Sequence, residues 1–436
     1  MNRTFFLLIL LVALTPFSQA FAVEEEVVLD LSSKKSDNKI ESKVESKIER
    51  NDVIPDSNSN KPKYVHEAID NTEVEFSIFD NLIDKDKDSE HPFKIEEESL
   101  WGKIYKMRVE RTSIPTFLLK DELNFKVDKA GIDRVQFYGA YNGNLSSLFT
   151  NTDYENDYDT SYDFNIMEAG VIGDLKDKYT DFKIQLNFKP TNSRSYLQNL
   201  FTDVYIMNTR IPHHKIIVGN SRNQVGVDGG ASSYTQPFAM RSQIGRTFGN
   251  TRALGVRVVG DYPYVDYSLA VNSSDRFFRD FFPGAEFTGW VNVKPLTKVQ
   301  EKYGNLVIGG GLNAGHNNTD YKVAGAYIGY KHKNFTANAE YSIADGYNGV
   351  NISTDKASGF YTTLAYKITP KLQIVARYDQ FDPNRDIADN NRREYSIGFN
   401  YFIKGQALRL LLNYVFCDYD NSEKSHRIIM GTQILL

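Results

Sequence analysis

Sixteen segments of the chain alternate apolar and polar residues with a period of two, the pattern of β-strands with two unlike faces. They fall at 132–144, 162–174, 180–190, 199–209, 213–221, 251–260, 263–273 and 286–294. They continue at 304–316, 321–331, 334–345, 358–367, 371–381, 393–403, 406–416 and 425–436. Each runs about ten residues, whereas strands of soluble sheets usually run roughly five or six. About ten is also the length a tilted strand needs to cross a bilayer.

The two faces differ sharply in chemistry. Phe182, Ile184, Leu186 and Phe188 oppose Lys183, Gln185, Asn187 and Lys189. Val265, Tyr267, Leu269 and Val271 oppose Asp266, Ser268, Ala270 and Asn272, and Phe335, Ala337, Ala339, Tyr341 and Ile343 oppose Thr336, Asn338, Glu340 and Ser342. In a dry core between two sheets, so many ionisable groups would each need a partner. Facing a wide aqueous lumen they would need none, so the apolar face is expected to point outward into lipid.

The connections point the same way. The gap 145–161 is long and acidic and 175–179 short; 191–198 is medium and 210–212 has three residues; 222–250 is very long and Asp261-Tyr262 tiny. Further on, 346–357, 382–392 and 417–424 are long, while Lys333, 368–370 and Lys404-Gly405 are short. The gaps 295–303, rather long, and 317–320, short, break the rule. Long loops at one end and tight turns at the other predict an all-β, up-and-down antiparallel transmembrane barrel of about sixteen strands. A Greek-key sandwich has no reason to alternate in this way. Before the first long strand, "ELNFKVDKAGIDRVQFYGAYNG" reads as a strand, a turn at Lys129-Ala130-Gly131 and a second strand, which leaves sixteen or eighteen strands open. At the other end, Ile428, Met430, Ile434 and Leu436 share the outward face of a strand that can close the sheet.

Residues 1–22, MNRTFFLLILLVALTPFSQAFA, have a positive Arg3, an apolar core from Phe5 to Leu14 and the small-x-small end Ala20-Phe21-Ala22. A secretory signal peptide cut after Ala22 is expected, and with it export to the outer membrane of a bacterial cell. Beyond it, no apolar run is long enough for a membrane-spanning helix. Residues 23–100 carry 11 Lys/Arg against 22 Asp/Glu, whereas 132–436 carry 32 against 30. The asymmetry marks a domain boundary, with an acidic flexible leader over 23–100 and the barrel over 101–436, and not a nucleic-acid binder. Within the leader, Ile40, Val44 and Ile48 form a narrow stripe read as a solvated, fraying helix. The leader is expected to be periplasmic and to contact the cell wall or neighbouring proteins. Cys417, the single cysteine, excludes an intrachain disulfide and reads as an inert loop-edge residue.

No catalytic constellation, cofactor motif or metal-ligand set is legible, so the chain is not expected to be an enzyme. His213-His214 reads as a polar pair beside a turn, because adjacent strand residues face opposite ways. The informative element is the longest connection, RNQVGVDGGASSYTQPFAMRSQIGRTFGN, leading into TRALGVRVVG. Arg222, Arg241, Arg246 and Arg252 stand there against one acid, Asp228, and Arg257 falls on the inward face of its strand. Folded into the lumen, the loop would narrow it, and its guanidiniums would attract and coordinate small anions, with Ser232, Ser233 and Tyr234 adding hydroxyl donors. Alternatively, these arginines pair with wall acids such as Glu168, Asp203 or Glu394.

The stretch "YTQPFAMRSQIGRTFGNTRALGVRVVG" resembles the phosphate-selective porin O and P family in its Pro-Phe, its Arg-bearing helical piece and its Arg-x-x-Gly approach to a strand; the opening hairpin is similar as well. The resemblance covers about 118–436. It implies a sixteen-stranded outer-membrane barrel in lipid, usually a homotrimer, passing small anions, with Arg241, Arg246 and Arg252 as the constriction arginines. Two features depart from it. The inward faces mix signs, Lys183, Arg377, Arg409 and Arg427 against Asp266, Glu340 and Asp379, and the chain ends in Leu436 where an aromatic is common. The expected function is a passive diffusion porin with weak anion preference, phosphate included. The rival readings are a sugar-selective porin, a non-conducting anchor or adhesin, and a barrel lipase, for which no Ser/His pair is in a suitable setting.

Overall fold

Each alternating segment hydrogen-bonds to its neighbours in sequence, and in a computed structural model the ladder closes on itself. The structure describes residues 83–84, 108–109, 124–129, 131–151, 156–189, 200–249, 251–274, 282–317, 319–346, 356–420 and 422–436. The chain divides into two units, Met1–Ile69 and Asp70–Leu436, and all described residues lie in the second. The expected signal peptide and leader therefore lie outside them, apart from Ile83–Asp84, which form a two-residue ladder with Arg108–Val109.

The barrel strands are β1 (Asn124–Lys129), β2 (Ile132–Asn151), β3 (Asn156–Leu175), β4 (Thr180–Asn187), β5 (Phe201–Asn208), β6 (His214–Arg222), β7 (Arg252–Asp261), β8 (Val265–Ser273) and β9 (Ala285–Val293). They continue with β10 (Asn305–Asn317), β11 (Thr319–His332), β12 (Phe335–Asp345), β13 (Lys356–Thr369), β14 (Leu372–Asp382), β15 (Arg392–Lys404), β16 (Leu408–Tyr419) and β17 (Ser425–Leu435). Strands β2 to β17 match the sixteen segments read from the sequence.

The closure also answers the question of strand number. β17 pairs with β2 from Ser425↔Thr150 to Leu435↔Ala140. Leu436 and Gly139 exchange backbone bonds of 2.8 and 3.0 Å. Below that point the short β1 takes over, with Phe125 opposite Val135 and Asn124 opposite Gln136. β1 and β17 thus share one column of the sheet, and sixteen strands go around.

One connection is corrected. The expected loop 145–161 is mostly strand: β2 and β3 each run 20 residues and leave only 152–155 between them, outside the described residues. Its polar residues were read as loop, yet they pair across strands as Ser147 with Thr160, hydroxyl to hydroxyl at 3.2 Å, and Phe149 with Tyr158, ring to ring at 5.0 Å. Cys417 likewise sits inside β16, buried, and not at a loop edge.

The faces point as expected. Val271 is 59% exposed on the outside while its neighbour Asn272 is 3% exposed on the inside. Leu412, near the middle of β16, is an outward residue of the same kind. Leu412→Arg should therefore cost ~2–4 kcal/mol in equilibrium unfolding from lipid vesicles, the penalty for a cation at the midplane of a membrane barrel. A loss below ~0.5 kcal/mol, typical of a harmless surface change, would place that face away from hydrocarbon.

Candidate functional site: the folded-in loop and its basic wall

The connection 223–251 between β6 and β7 folds inside the barrel. It contains α1 (Val227–Gly230), a 3₁₀ turn (Ser233–Thr235) and α2 (Gln243–Thr247). Its apolar residues seat on inward apolar residues of the wall. Ile244 and Phe248 pack among Tyr361 and Phe381, Val227 on Trp290 and Tyr327, and Phe238 on Ala365 and Val375. Tyr234 lies against Ile166 and Leu435, and Ala239 against Leu411 and Ile429. A period-two wall facing plain water would have no use for these residues; they are there because the loop covers them.

Polar contacts fix the same loop. The Glu340 carboxylate accepts the backbone N–H of Val227 at 2.9 Å and of Asp228 at 3.0 Å, and also the Tyr361 hydroxyl at 2.9 Å. Gly226, in the left-handed region at φ 71°, lets the chain approach, because a Cβ there would collide with the Glu340 carboxylate. Asp379 accepts the N–H of Gln243 at 2.7 Å, and Glu394 forms an ion pair with Arg246 at 2.5 Å and accepts the Tyr419 hydroxyl at 2.6 Å. Glu286 accepts from Asn223 at 2.8 Å and Glu168 from the Tyr234 hydroxyl at 2.8 Å. Wall donors meet the loop carbonyls as well: Arg409 to Gln236 at 2.7 Å, Asn400 to Pro237 at 2.9 Å and Gln433 to Tyr234 at 3.0 Å. The expectation that inward polar groups need no protein partner is thus corrected. The lumen is not uniformly wide, and the loop supplies partners that desolvated groups require.

The loop also braces itself. Asp228 accepts from the backbone N–H and the hydroxyl of Ser242, at 2.8 and 2.7 Å. Arg241 donates to the carbonyls of Asp228 and Ala231 and to the Ser233 hydroxyl. Burial alone would lower the Arg246 pKa, but the Glu394 carboxylate holds it above its ordinary value. Burial, reinforced by Glu168, pushes the Tyr234 phenol well above its usual range, which keeps it a hydrogen-bond donor.

Between the loop and the wall of β3–β8 a cavity of about 150 Å³ remains. The loop lines it with Gln224, Gly230, Ser232, Ser233 and Tyr234. The wall contributes Lys183, Lys215, Arg222, Arg252 and Arg257, with Glu168 and Asp203 as its acids. Asp203 accepts from Lys183 and from Arg252, both at 2.7 Å, and Arg257 donates to the Arg222 carbonyl.

Of the residues picked out by sequence, Arg222, Arg252, Arg257, Ser232, Ser233 and Tyr234 line this cavity, and Arg241 and Arg246 do not: they tie the loop to itself and to Glu394. Lys183 and Lys215 were not among the chosen residues. Their signal was present, since each is a cation on the inward parity of an alternating strand.

Residues 260–435, from the end of β7 to the end of β17, match the family model described as phosphate-selective porin O and P. No curated protein matches. Among solved structures, the loop L8 deletion mutant of OmpT from Vibrio cholerae is 15% identical with a TM-score of 0.51, covering 69% of this chain and 99% of that one. The outer membrane channel DcaP of Acinetobacter baumannii is 16% identical with a TM-score of 0.50, covering 72% and 99%. An anion-selective porin from Comamonas acidovorans is 10% identical with a TM-score of 0.52, covering 69% and 99%. The chain thus carries the closed sixteen-strand barrel fold of outer-membrane porins, and over residues 260–435 it matches the phosphate-selective porin O and P family.

Proposed function

We propose that the protein is an outer-membrane porin that passes small hydrophilic solutes down their gradient and prefers anions, phosphate among them. One observation carries the reading: the loop covers four inward acids against two inward cations, Arg377 and Arg409, and the charged groups lining the cavity it leaves are mostly cations. Glu340, Asp379, Glu394 and Glu286 are 3, 0, 1 and 5% exposed, and each accepts a hydrogen bond from the loop. Among the described residues, the cavity is lined by five cations and two carboxylates, a formal excess of three positive charges. Water-filled passages with low-dielectric walls focus such a field on passing ions. The solved anion-selective porin with this fold is in keeping with the reading. Homotrimeric assembly, outer-membrane insertion after signal-peptide cleavage, and wall contact through residues 23–100 belong to the same proposal. The rival is a plugged anchor, favoured by how tightly the loop is held. Protein purified in detergent and added to a planar bilayer should give discrete current steps; a preparation that inserts and carries no current would favour the anchor.

A further inference from the structure

Seven groups of buried apolar residues face into the barrel among the described residues, and five of them include a side chain from the loop. One that does not is Tyr205 and Met207 of β5 with Ile217 of β6 and Val259 of β7, and all four line the basic cavity. The strand registers interleave them with cations. Tyr205 stands opposite Lys183, Ile217 lies between Met207 and Arg257, and Val259 stands opposite Lys215. Residues opposite each other on one face lie about 5 Å apart at Cβ. Among the described residues, the buried Nε of Arg257 finds no hydrogen-bond acceptor.

An apolar patch that takes no side chain from the loop, with a cation opposite three of its four members and Met207 between Ile217 and the acid Asp181, does not suit a bare inorganic ion. Inorganic phosphate would engage the cations and gain nothing from Met207 or Ile217. A neutral apolar molecule would gain from the patch and make no use of the cations. A ligand with both an anionic head and an apolar body uses the whole wall. The cavity volume, about 150 Å³, matches that of an engineered protein cavity, in an unrelated protein, that takes up benzene.

We infer that this wall is a binding station for small organic anions that carry a carboxylate on an apolar body about the size of a benzene ring. The inference rests on the anion reading above and narrows it to a substrate class. The test is block of chloride current through the reconstituted full-length channel by benzoate, acetate and benzyl alcohol. Benzoate should half-block at a concentration about tenfold or more below acetate, from ring burial alone, and benzyl alcohol should not block. In Met207→Gln/Ile217→Thr channels that still carry chloride, benzoate should fall to within about twofold of acetate. Equal block by benzoate and acetate in the wild type would overturn the assignment, with no variant needed. So would block by benzyl alcohol as strong as by benzoate. A cation preference in KCl, read before any benzoate is added, would remove the anion reading instead.

Discussion

The anion-to-cation permeability ratio should fall to about one in a channel carrying Lys215→Gln, Arg222→Gln and Arg257→Gln together. Five cations and two carboxylates line the cavity, so removing three cations leaves two of each sign. Those that remain include the pairs of Asp203 with Lys183 and with Arg252, whose fields largely cancel. At an effective dielectric constant of about 20, a unit charge about 8 Å from a passing anion is worth ~2 kcal/mol before salt screening. Three such charges are enough to set the sign of the preference, and the effect should shrink as salt rises. Neutralising Arg241 and Arg246 instead should act on the loop, because those guanidiniums hold carbonyls and Glu394 and do not line the cavity. A triple variant with the wild-type ratio would place the selectivity elsewhere.

The second large effect follows from the way the loop covers the wall acids. Replacing residues 227–248 by a short Gly-Ser linker should raise single-channel conductance several-fold and swing the preference toward cations. The excision opens the lumen and uncovers three acids, Glu340, Asp379 and Glu394, which the loop now binds through two backbone N–H groups, a third and the Arg246 guanidinium, against two cations, Arg377 and Arg409. It also removes the burial of Ile244 and Phe248, worth about 1.5–3 kcal/mol each, so the unfolding midpoint should drop. The barrel itself should still close, because the β17–β2 seam is built from wall strands. Wider channels whose anion preference is undiminished would show that covering of the acids by the loop is not its source.

How much of this was legible in the sequence depends on range. Strand parity is local, so the sixteen segments and the inward placement of Lys183, Glu340 and Asp379 follow from neighbours two residues apart. The two connections that break the long–short rule do so in the structure as well: 294–304 holds a 3₁₀ turn and a helical turn at the short-turn end, and one residue joins β10 to β11 at the other. The β2–β3 extension was hidden because its Ser, Thr, Asn and Asp residues look like loop, and cross-strand pairing outweighs that propensity. The docking of the loop was hidden for a different reason. Gln243 meets Asp379 across 136 residues and Arg246 meets Glu394 across 148. No period in a single sequence encodes which acid such a loop will cover. Of the two sequence readings of the arginines, pairing with wall acids describes Arg246 with Glu394 and Arg252 with Asp203; constriction of the lumen by them is a proposed role.

The central claim is that acids hidden by the loop and cations left facing the cavity give the channel its sign. The zero-current potential of the purified wild-type protein, in a planar bilayer under a steep KCl gradient, tests it most directly. A potential of the polarity set by chloride flow, weakening as total salt is raised, is the predicted result. A potential set by potassium flow would contradict it.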